Sequence, residues 1–245
     1  MVERFLGIPV DPVDQNGALR TARSAIAGER DPLLVIAINP EKVMKAVQDE
    51  ELRAFIEGAG LRIPDGVGIV LASRLRGGRV RSRVTGVDLM LALVAEAAEH
   101  GWRVYLLGAR PEVNEAAAAE LHRRFPSLVV AGRRDGYFQP ADGPAVADAV
   151  RDAQTDVLFV ALGSPVQERF LLAHGDRTGA RVRMGVGGSF DVLAGRVQRA
   201  PAPMRAMGLE WLYRLYREPW RFRRMLVLPV FLLRAFFHGP DRSPN

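Results

Sequence analysis

The alternation of apolar runs with helix-like segments constrains the fold of this chain more than any other feature. Residues 33–38 are a short, continuous apolar run, as are residues 157–162 of the predicted strand 156–162, and helical patterns follow at 40–57 and 165–175. Apolar runs without internal polar alternation are typical of strands buried on both faces. Strands that alternate with helices predict a mostly parallel sheet covered on both sides. We therefore predict an α/β fold with a doubly wound, Rossmann-like sheet.

The last fifth of the chain has a different character. Residues 196–245 hold ten arginines and three acidic residues, whereas residues 1–195 carry one more acidic than basic residue. A charge asymmetry of this kind points to an anionic partner for the basic segment. We predict an α/β domain over residues 1–195 and a basic helical appendage over residues 196–245.

Composition disfavours several classes of chemistry. The chain has no cysteine, which excludes disulfides, thiolate metal sites and a cysteine nucleophile. Its four histidines are scattered and it has no Asp-x-Asp pair, so we predict neither a metal nor a cofactor. The amino terminus lacks the features of a signal peptide, and the apolar stretch 225–237 is shorter than the about 20 residues of a spanning helix. We expect the chain to fold in the cytoplasm.

Loops that follow predicted strands are the expected place for chemistry, because parallel sheets bind ligands at the carboxyl ends of their strands. Asp65 lies in such a loop, within Pro64-Asp65-Gly66. This tripeptide is typical of an ordinary turn. A carboxylate at the end of a strand is also a candidate general base for an attacking hydroxyl. The sequence leaves both interpretations open.

The segment Gly163-Ser164-Pro165 follows the most apolar predicted strand. We predict Ser164 as the N-cap and Pro165 as the first residue of the next helix. Backbone N–H groups at such a helix start suit a phosphate or sugar oxygen, and Gln167 is expected to face the same space. A similar strand-to-helix joint follows the strand that ends near Gly108.

The segment between Gly185 and Asp191 is similar to a dinucleotide-binding fingerprint but fails it, because Phe190 stands where the third glycine is required. A nicotinamide oxidoreductase is therefore poorly supported. Gly187 still allows a ligand to approach the backbone closely, and Asp191 could accept hydrogen bonds from a base or a ribose. A leaving diphosphate without a metal needs arginines and N–H donors, and Arg83 is either that arginine or a solvated loop residue.

Seven collinear segments carry a family resemblance. They are Asn39-Pro40, Pro64-Asp65-Gly66-Val67-Gly68, Arg83-Val84-Thr85-Gly86-Val87-Asp88-Leu89, Gly132 with Asp135-Gly136-Tyr137-Phe138, Gly163-Ser164-Pro165-Val166-Gln167-Glu168, the Gly185 to Asp191 segment, and Arg199-Ala200-Pro201 through Gly208 to Pro219. Through this set, which covers roughly residues 5–225, the chain resembles the WecG/TagA/CpsF glycosyltransferase family.

The resemblance implies an inverting, metal-independent transferase. Such an enzyme moves N-acetylmannosamine or a related sugar from a UDP-sugar to an undecaprenyl-diphosphate-linked acceptor. The resemblance implies Asp65 as the catalytic base, Arg83 at the diphosphate, and Gln167 with Asn39 around the sugar and the acceptor.

The resemblance also implies Tyr137 and Asp191 near the uridine. We further predict a wider substrate-binding set, whose other members are Gly66, Thr85, Asp88, Gly108, Gly163 and Gly187. Ala37 departs from the family pattern, since that position often carries a hydroxyl residue. The sequence therefore does not fix which sugar is transferred.

The appendage is expected to serve both the membrane and the active site. Arg214 and Arg221 belong to an arginine series that forms one stripe if a single helix continues through it. These two arginines could grip the diphosphate of the donor or the acceptor. Apolar residues of the appendage, Phe231 among them, are expected to contact an anionic membrane at its inner face.

Two other functions are compatible with parts of the sequence. One is a non-catalytic module that binds nucleotide sugars or anionic lipids. The other is a nucleic-acid binder, which the lack of basic excess in residues 1–195 disfavours, so we predict no nucleic acid partner. The sequence also allows a homo-oligomer.

Overall fold

A parallel sheet forms the centre of the fold. The computed structural model describes residues 2–217, 219, 222 and 226–237, without the side chains of Ala206 and Arg214. The described strands are β1 (Glu3–Phe5), β2 (Ile8–Val10), β3 (Leu33–Ile38), β4 (Leu61–Pro64), β5 (Arg103–Gly108), β6 (Val129–Arg134), β7 (Val157–Ala161) and β8 (Val182–Gly185). Strands β3 to β8 pair in parallel in the order β4-β3-β8-β7-β5-β6, and β1 and β2 form a separate antiparallel hairpin.

Helices cover both faces of this sheet. The described helices are α1 (Gln15–Ile26), α2 (Pro40–Ala46), α3 (Glu50–Gly58), α4 (Val67–Leu75), α5 (Gly86–His100), α6 (Pro111–Arg124), α7 (Gly143–Asp152), α8 (Val166–His174), α9 (Ser189–Leu193), α10 (Ala202–Ala206), α11 (Glu210–Arg217) and α12 (Val227–Phe237). One hydrophobic core contains residues of α2, α3, α4, α7, α8 and α12, and the other contains residues of α1, α5, α6 and α9. The predicted doubly wound α/β fold is confirmed.

Neighbouring strands send their chains to opposite faces of the sheet at more than one point, and the crevice between β5 and β7 is one of these points. Strand β5 continues into α6 on one face, whereas its neighbour β7 continues into α8 on the other. Ligands of open α/β sheets bind at the carboxyl ends of strands beside such a switch point. The loops at Gly108 and Gly163 border this crevice.

Local structure differs from the sequence-based expectation in three places. The single helix expected over 40–57 is two helices, because Asp49 accepts a hydrogen bond from the Leu52 N–H and starts a new helix. The hairpin of β1 and β2, and helix α1, were not predicted. Ser164 is not an N-cap: Pro165 occupies that position, follows a cis peptide bond, and α8 begins at Val166.

The last described helix packs into the core. The Phe231 side chain is fully buried, and its ring centroid lies 6.1 Å from that of Phe5. Gly68 of α4 permits the approach of α12, because a Cβ atom there would lie 2.5 Å from Leu228 Cδ1. The expectation that Phe231 contacts a membrane is therefore wrong, since its face of α12 is covered by the α/β body. The boundary at residue 195 stays a prediction.

Candidate active site

Most of the expected site residues follow successive strands at one edge of the sheet. Read across the sheet from β4 to β6, the strands are followed by Asp65, Asn39, Gly187, Gly163, then Gly108 and Tyr137. Adjacent strands lie about 4.8 Å apart, so this series extends over roughly 24 Å. Asp65 lies at one end, beside Asn39, and Tyr137 lies at the other.

Asp65 is held by the strand beside its own. Its backbone N–H donates to the Ile38 carbonyl over 2.8 Å, and its side chain is half-buried. The next residue, Gly66, has a φ of 95° at the start of α4, a conformation that explains glycine at this position. Asp65 therefore lies in a turn at the end of a strand, a placement that is compatible with both interpretations of the sequence.

Asn39 begins the helix after the neighbouring strand. Its side-chain oxygen accepts a hydrogen bond of 2.8 Å from the Lys42 N–H, which makes it the N-cap of α2. Such a cap satisfies one of the N–H groups that a helix start leaves unpaired. Asn39 is thus fixed one strand away from Asp65.

Gln167 joins two of the strand-end loops. Its side chain is buried, and its Oε1 accepts a hydrogen bond of 3.1 Å from the Gly187 N–H. Its Nε2 donates to Glu168 Oε1 over 3.3 Å. The amide therefore connects the first turn of α8 with the loop after β8, instead of facing the open space that the sequence suggested.

A buried ion pair beside Gln167 was not predicted. Lys42 Nζ lies 2.8 Å from Glu168 Oε1, and the two side chains are 13% and 4% exposed. Glu168 belongs to the same segment as Gln167, and Lys42 is one of the two lysines of the chain. The sequence does not indicate that Lys42 and Glu168 are in contact, because the contact depends on how α2 and α8 pack.

The glycines at the ends of β5, β7 and β8 have different structural roles. Gly108 has a φ of 115°, and a Cβ atom there would lie 2.5 Å from the Ala161 backbone, so this glycine allows β5 and β7 to pack closely at their ends. Gly163 and Gly187 also have positive φ, but a Cβ atom at either position would meet no described atom within 4 Å. Their backbones thus border space that a ligand can enter.

The two expected uridine contacts lie on different elements. Tyr137 follows β6, its backbone N–H donates to Asp135 Oδ1 over 2.8 Å, and its side chain is 72% exposed. Asp191 lies in the first turn of α9 and is half-buried. Both residues have surface that a nucleoside can reach.

Arg83 and Asp88 contact the appendage. Arg83 donates to the Arg205 carbonyl over 3.1 Å, and its Nη1 lies 3.7 Å from Glu210 Oε2. Arg199 Nη1 donates to Asp88 Oδ1 over 2.7 Å. These contacts join the loop before α5, and the first turn of α5, to residues 199–210 of the appendage.

The contacts of Asp88 in this cluster favour its ionised form. Its second oxygen accepts a hydrogen bond from the Thr85 hydroxyl, and its backbone N–H donates back to Thr85, the N-cap of α5. Burial alone would raise the pKa of Asp88, but hydrogen bonds from Arg199 and Thr85, with the charges of Arg199 and Arg205, hold that pKa below its usual value. Thr85 and Asp88 thus have a structural role at the appendage contact.

The structure does not describe the side chains of the two appendage arginines that are expected at the diphosphate. Arg214 lies in α11, but its side chain is not described, and Arg221 lies outside the described residues. Among the described residues, acidic and histidine side chains form no group of three that could hold a metal ion. In the same part of the chain, no helix is both long enough and apolar enough to cross a membrane.

Comparisons with known proteins identify the family. The sequence model of the glycosyl transferase WecG/TagA/CpsF family matches residues 3–244. An N-acetylglucosaminyldiphosphoundecaprenol N-acetyl-beta-D-mannosaminyltransferase of Bacillus subtilis (strain 168) is 37% identical over 219 residues, which cover 86% of this chain and 85% of that protein. The protein of the same name from Bacillus spizizenii (strain ATCC 23059 / NRRL B-14472 / W23) is 37% identical over 204 residues, or 83% and 79% of the two chains. The chain therefore belongs to the WecG/TagA/CpsF family of glycosyltransferases.

Proposed function

We propose that this glycosyltransferase moves N-acetylmannosamine or a related sugar from a UDP-sugar to an undecaprenyl-diphosphate-linked acceptor sugar. The acceptor class and the sugar follow the names of the two Bacillus relatives. The observation that carries the proposal is the series of strand-end residues, with Asp65 beside Asn39 and the nucleoside candidates farther along the same edge. Such a series suits an extended donor that lies across the carboxyl ends of the strands.

Asp65 is the proposed general base. It takes the proton of the acceptor hydroxyl while that oxygen bonds to C1 of the donor sugar. The bond between C1 and the diphosphate oxygen breaks at the same time, and UDP leaves with the electron pair. Because attack and departure occur on opposite sides of C1, the configuration of the transferred sugar inverts.

Positive charge and backbone N–H groups are proposed to stabilise the departing diphosphate. Arg83 is the candidate side chain, and its contacts with Arg205 and Glu210 keep its guanidinium at the junction of body and appendage. The loops at Gly163 and Gly187 border open space that the phosphates can enter, with the Gly187 N–H itself already donating to Gln167 Oε1. Arg214 and Arg221 are proposed to add charge to the same region.

We further propose that the appendage binds an anionic membrane at its inner face, where a lipid-linked acceptor is found. Leu226, Val230, Leu233 and Phe237 are exposed and follow one another at helical spacings of four, three and four residues. They form an exposed apolar stripe, while Phe231 of the same helix faces the core. An apolar helix face within an arginine-rich segment is typical of helices that lie in the membrane interface.

Acceptor-dependent release of UDP tests the proposed reaction. The full chain is incubated with a UDP-sugar, with and without an N-acetylglucosaminyl-diphospho-lipid, and both UDP and glycosylated lipid are measured. The proposal expects stoichiometric UDP and product only when both substrates are present. A non-catalytic module would bind UDP-sugar and produce neither, which would refute the proposal.

A further inference from the structure

Lys42 and Glu168 join two helices across the middle of the sheet edge. Lys42 lies in the first turn of α2, after β3, and Glu168 lies in the first turn of α8, after β7. Strand β8 separates β3 from β7. The 2.8 Å contact between Lys42 Nζ and Glu168 Oε1 therefore bridges the carboxyl end of β8.

Stability alone is a poor explanation for this pair. Transferring two charges out of water costs free energy that their attraction repays only when every polar atom is satisfied. Glu168 Oε2 is buried and has no hydrogen-bond partner among the described residues. Two apolar side chains of similar size would hold the two helices together at least as well.

The carboxylate of this pair contacts the Gln167 amide and orients it. Glu168 Oε1 accepts from Gln167 Nε2, and this leaves Gln167 Oε1 to accept from the Gly187 N–H. A glutamine amide presents a donor on one side and an acceptor on the other, so the carboxylate selects one of its two flipped orientations. The backbone N–H of Lys42 donates to Asn39 Oδ1, so the residue that pairs with Glu168 also lies in the first turn of the helix that Asn39 caps.

We propose that Lys42 and Glu168 are positioning residues for sugar transfer. Their ion pair fixes the Gln167 amide and, through it, the Gly187 backbone, and it ties the first turn of α2, which Asn39 caps, to α8. This inference rests on the proposed function, in which Asn39 and Gln167 surround the sugar and the acceptor. Displacements of about 1 Å in such a site lower turnover by about 10²-fold.

Two variants separate positioning from packing. Lys42→Met/Glu168→Leu replaces the pair by apolar residues and is expected to keep the melting temperature, because such replacements are often neutral. Glu168→Gln keeps the shape of the side chain and removes its charge. Lys45→Met, on the exposed surface of the same helix, is the matched control, and Lys42→Arg keeps the charge.

The measurements are kcat, KM for the UDP-sugar, and hydrogen exchange of the Gly187 amide by NMR without substrate. Both variants should lower kcat by about tenfold or more while KM stays within about threefold. In both, the Gly187 amide should exchange at least about tenfold faster, because it loses its fixed acceptor. Lys45→Met should match the wild type, and Lys42→Arg should retain most of the turnover.

These measurements distinguish failure of the positioning role from failure of the proposed function. A wild-type chain that transfers no sugar would refute that function, whereas faster Gly187 exchange in the variants would still support the network. Unchanged Gly187 exchange in the variants would overturn the positioning role whatever the activity. Wild-type kcat in both variants would overturn it as well.

Discussion

Asp65 and Asn39 end neighbouring strands, and each is fixed by the backbone around it. The Asp65 N–H donates a hydrogen bond to the Ile38 carbonyl, and the Asn39 side chain caps α2. Residues held in this way need little rearrangement when a substrate binds, which is the main contribution that a protein makes to positioning reactants. Tyr137 and Asp191, farther from Asp65 in our proposal, would bind a part of the donor that does not change during transfer.

Nucleoside contacts should affect binding more than chemistry. Tyr137→Ala and Asp191→Ala are each expected to weaken UDP affinity by about tenfold. The kcat at saturating donor should stay within about threefold, because a nucleoside contact stabilises the bound substrate and the transition state equally. Calorimetry with UDP and steady-state kinetics measure the two quantities. UDP affinity equal to that of the wild type in both variants would place the nucleoside elsewhere.

Asp88 should make the stability of the chain depend on pH. Its folded-state pKa is lowered, so its ionised form contributes stability that is present above the unfolded-state pKa and is lost as the pH falls through the folded-state pKa. At pH 7, Asp88→Asn should cost about 1.5–3 kcal/mol, the usual worth of a charged hydrogen bond. That corresponds to a melting temperature lower by roughly 3–12 °C.

Melting curves of the wild type and Asp88→Asn between pH 7 and pH 3 provide the measurement. The difference between the two should shrink as the pH falls below about 4, where the unfolded-state carboxyl protonates. Asp152→Asn, at an exposed carboxylate, is the control and should change little. A difference that is absent at pH 7, or constant over the whole range, would contradict the proposed electrostatic role of Asp88.

At the scale of elements, the strands were predictable and several connections were not. Continuous apolar runs such as 33–38 identify buried strands directly, because both faces of these strands are covered. The three-residue strands β1 and β2 are too short to show a period, and a local cap at Asp49 divided a segment whose apolar spacing continued.

The candidate site was predictable only to the level of loops. Chain order and the rule for parallel sheets put Asp65, Asn39 and Gly187 at one edge. Two kinds of contact depend on how helices pack in three dimensions. The appendage contacts Arg83 and Asp88, and Lys42 pairs with Glu168 across 126 residues. No local pattern in the sequence carries that information.

The exposed apolar stripe of α12 should control membrane binding. Leu233→Ser/Phe237→Ser is expected to lower binding to anionic vesicles by about tenfold or more, because each buried apolar side chain contributes about 1.5–3 kcal/mol. Flotation with vesicles that contain anionic lipid measures the bound fraction. Leu172→Ser, at an exposed leucine of α8, is the control. Flotation of the double variant at the wild-type level would contradict the proposed membrane surface.

At the scale of the whole molecule, the appendage is joined to the α/β body in two places. Arg199 contacts Asp88 in the first turn of α5, Glu210 contacts Arg83 in the loop before it, and Phe231 of α12 completes the core beside Phe5. Removing residues 196–245 would expose that core as well as remove the proposed membrane surface. Substitutions on the exposed stripe therefore test membrane binding more cleanly than a truncation does.

Transfer should not need a divalent metal. The sequence has no Asp-x-Asp pair, and we propose that arginines and backbone N–H groups offset the charge of the departing diphosphate. Turnover in EDTA is expected to stay within about twofold of the untreated rate, whereas loss of a catalytic metal would lower it by orders of magnitude. Activity that disappears on chelation and returns with Mg²⁺ or Mn²⁺ would reveal a metal site that this account lacks.

The central claim is that Asp65 is the base of a sugar transfer, and the turnover of Asp65→Asn tests it most directly. The variant should melt near the wild-type temperature and bind UDP with similar affinity, while acceptor-dependent UDP release falls by about 10²–10⁴-fold, the usual worth of a general base. Asp31→Asn, at an exposed residue before β3, serves as the control and should keep the wild-type rate. A folded Asp65→Asn variant that transfers sugar within a few-fold of the wild-type rate would contradict the account.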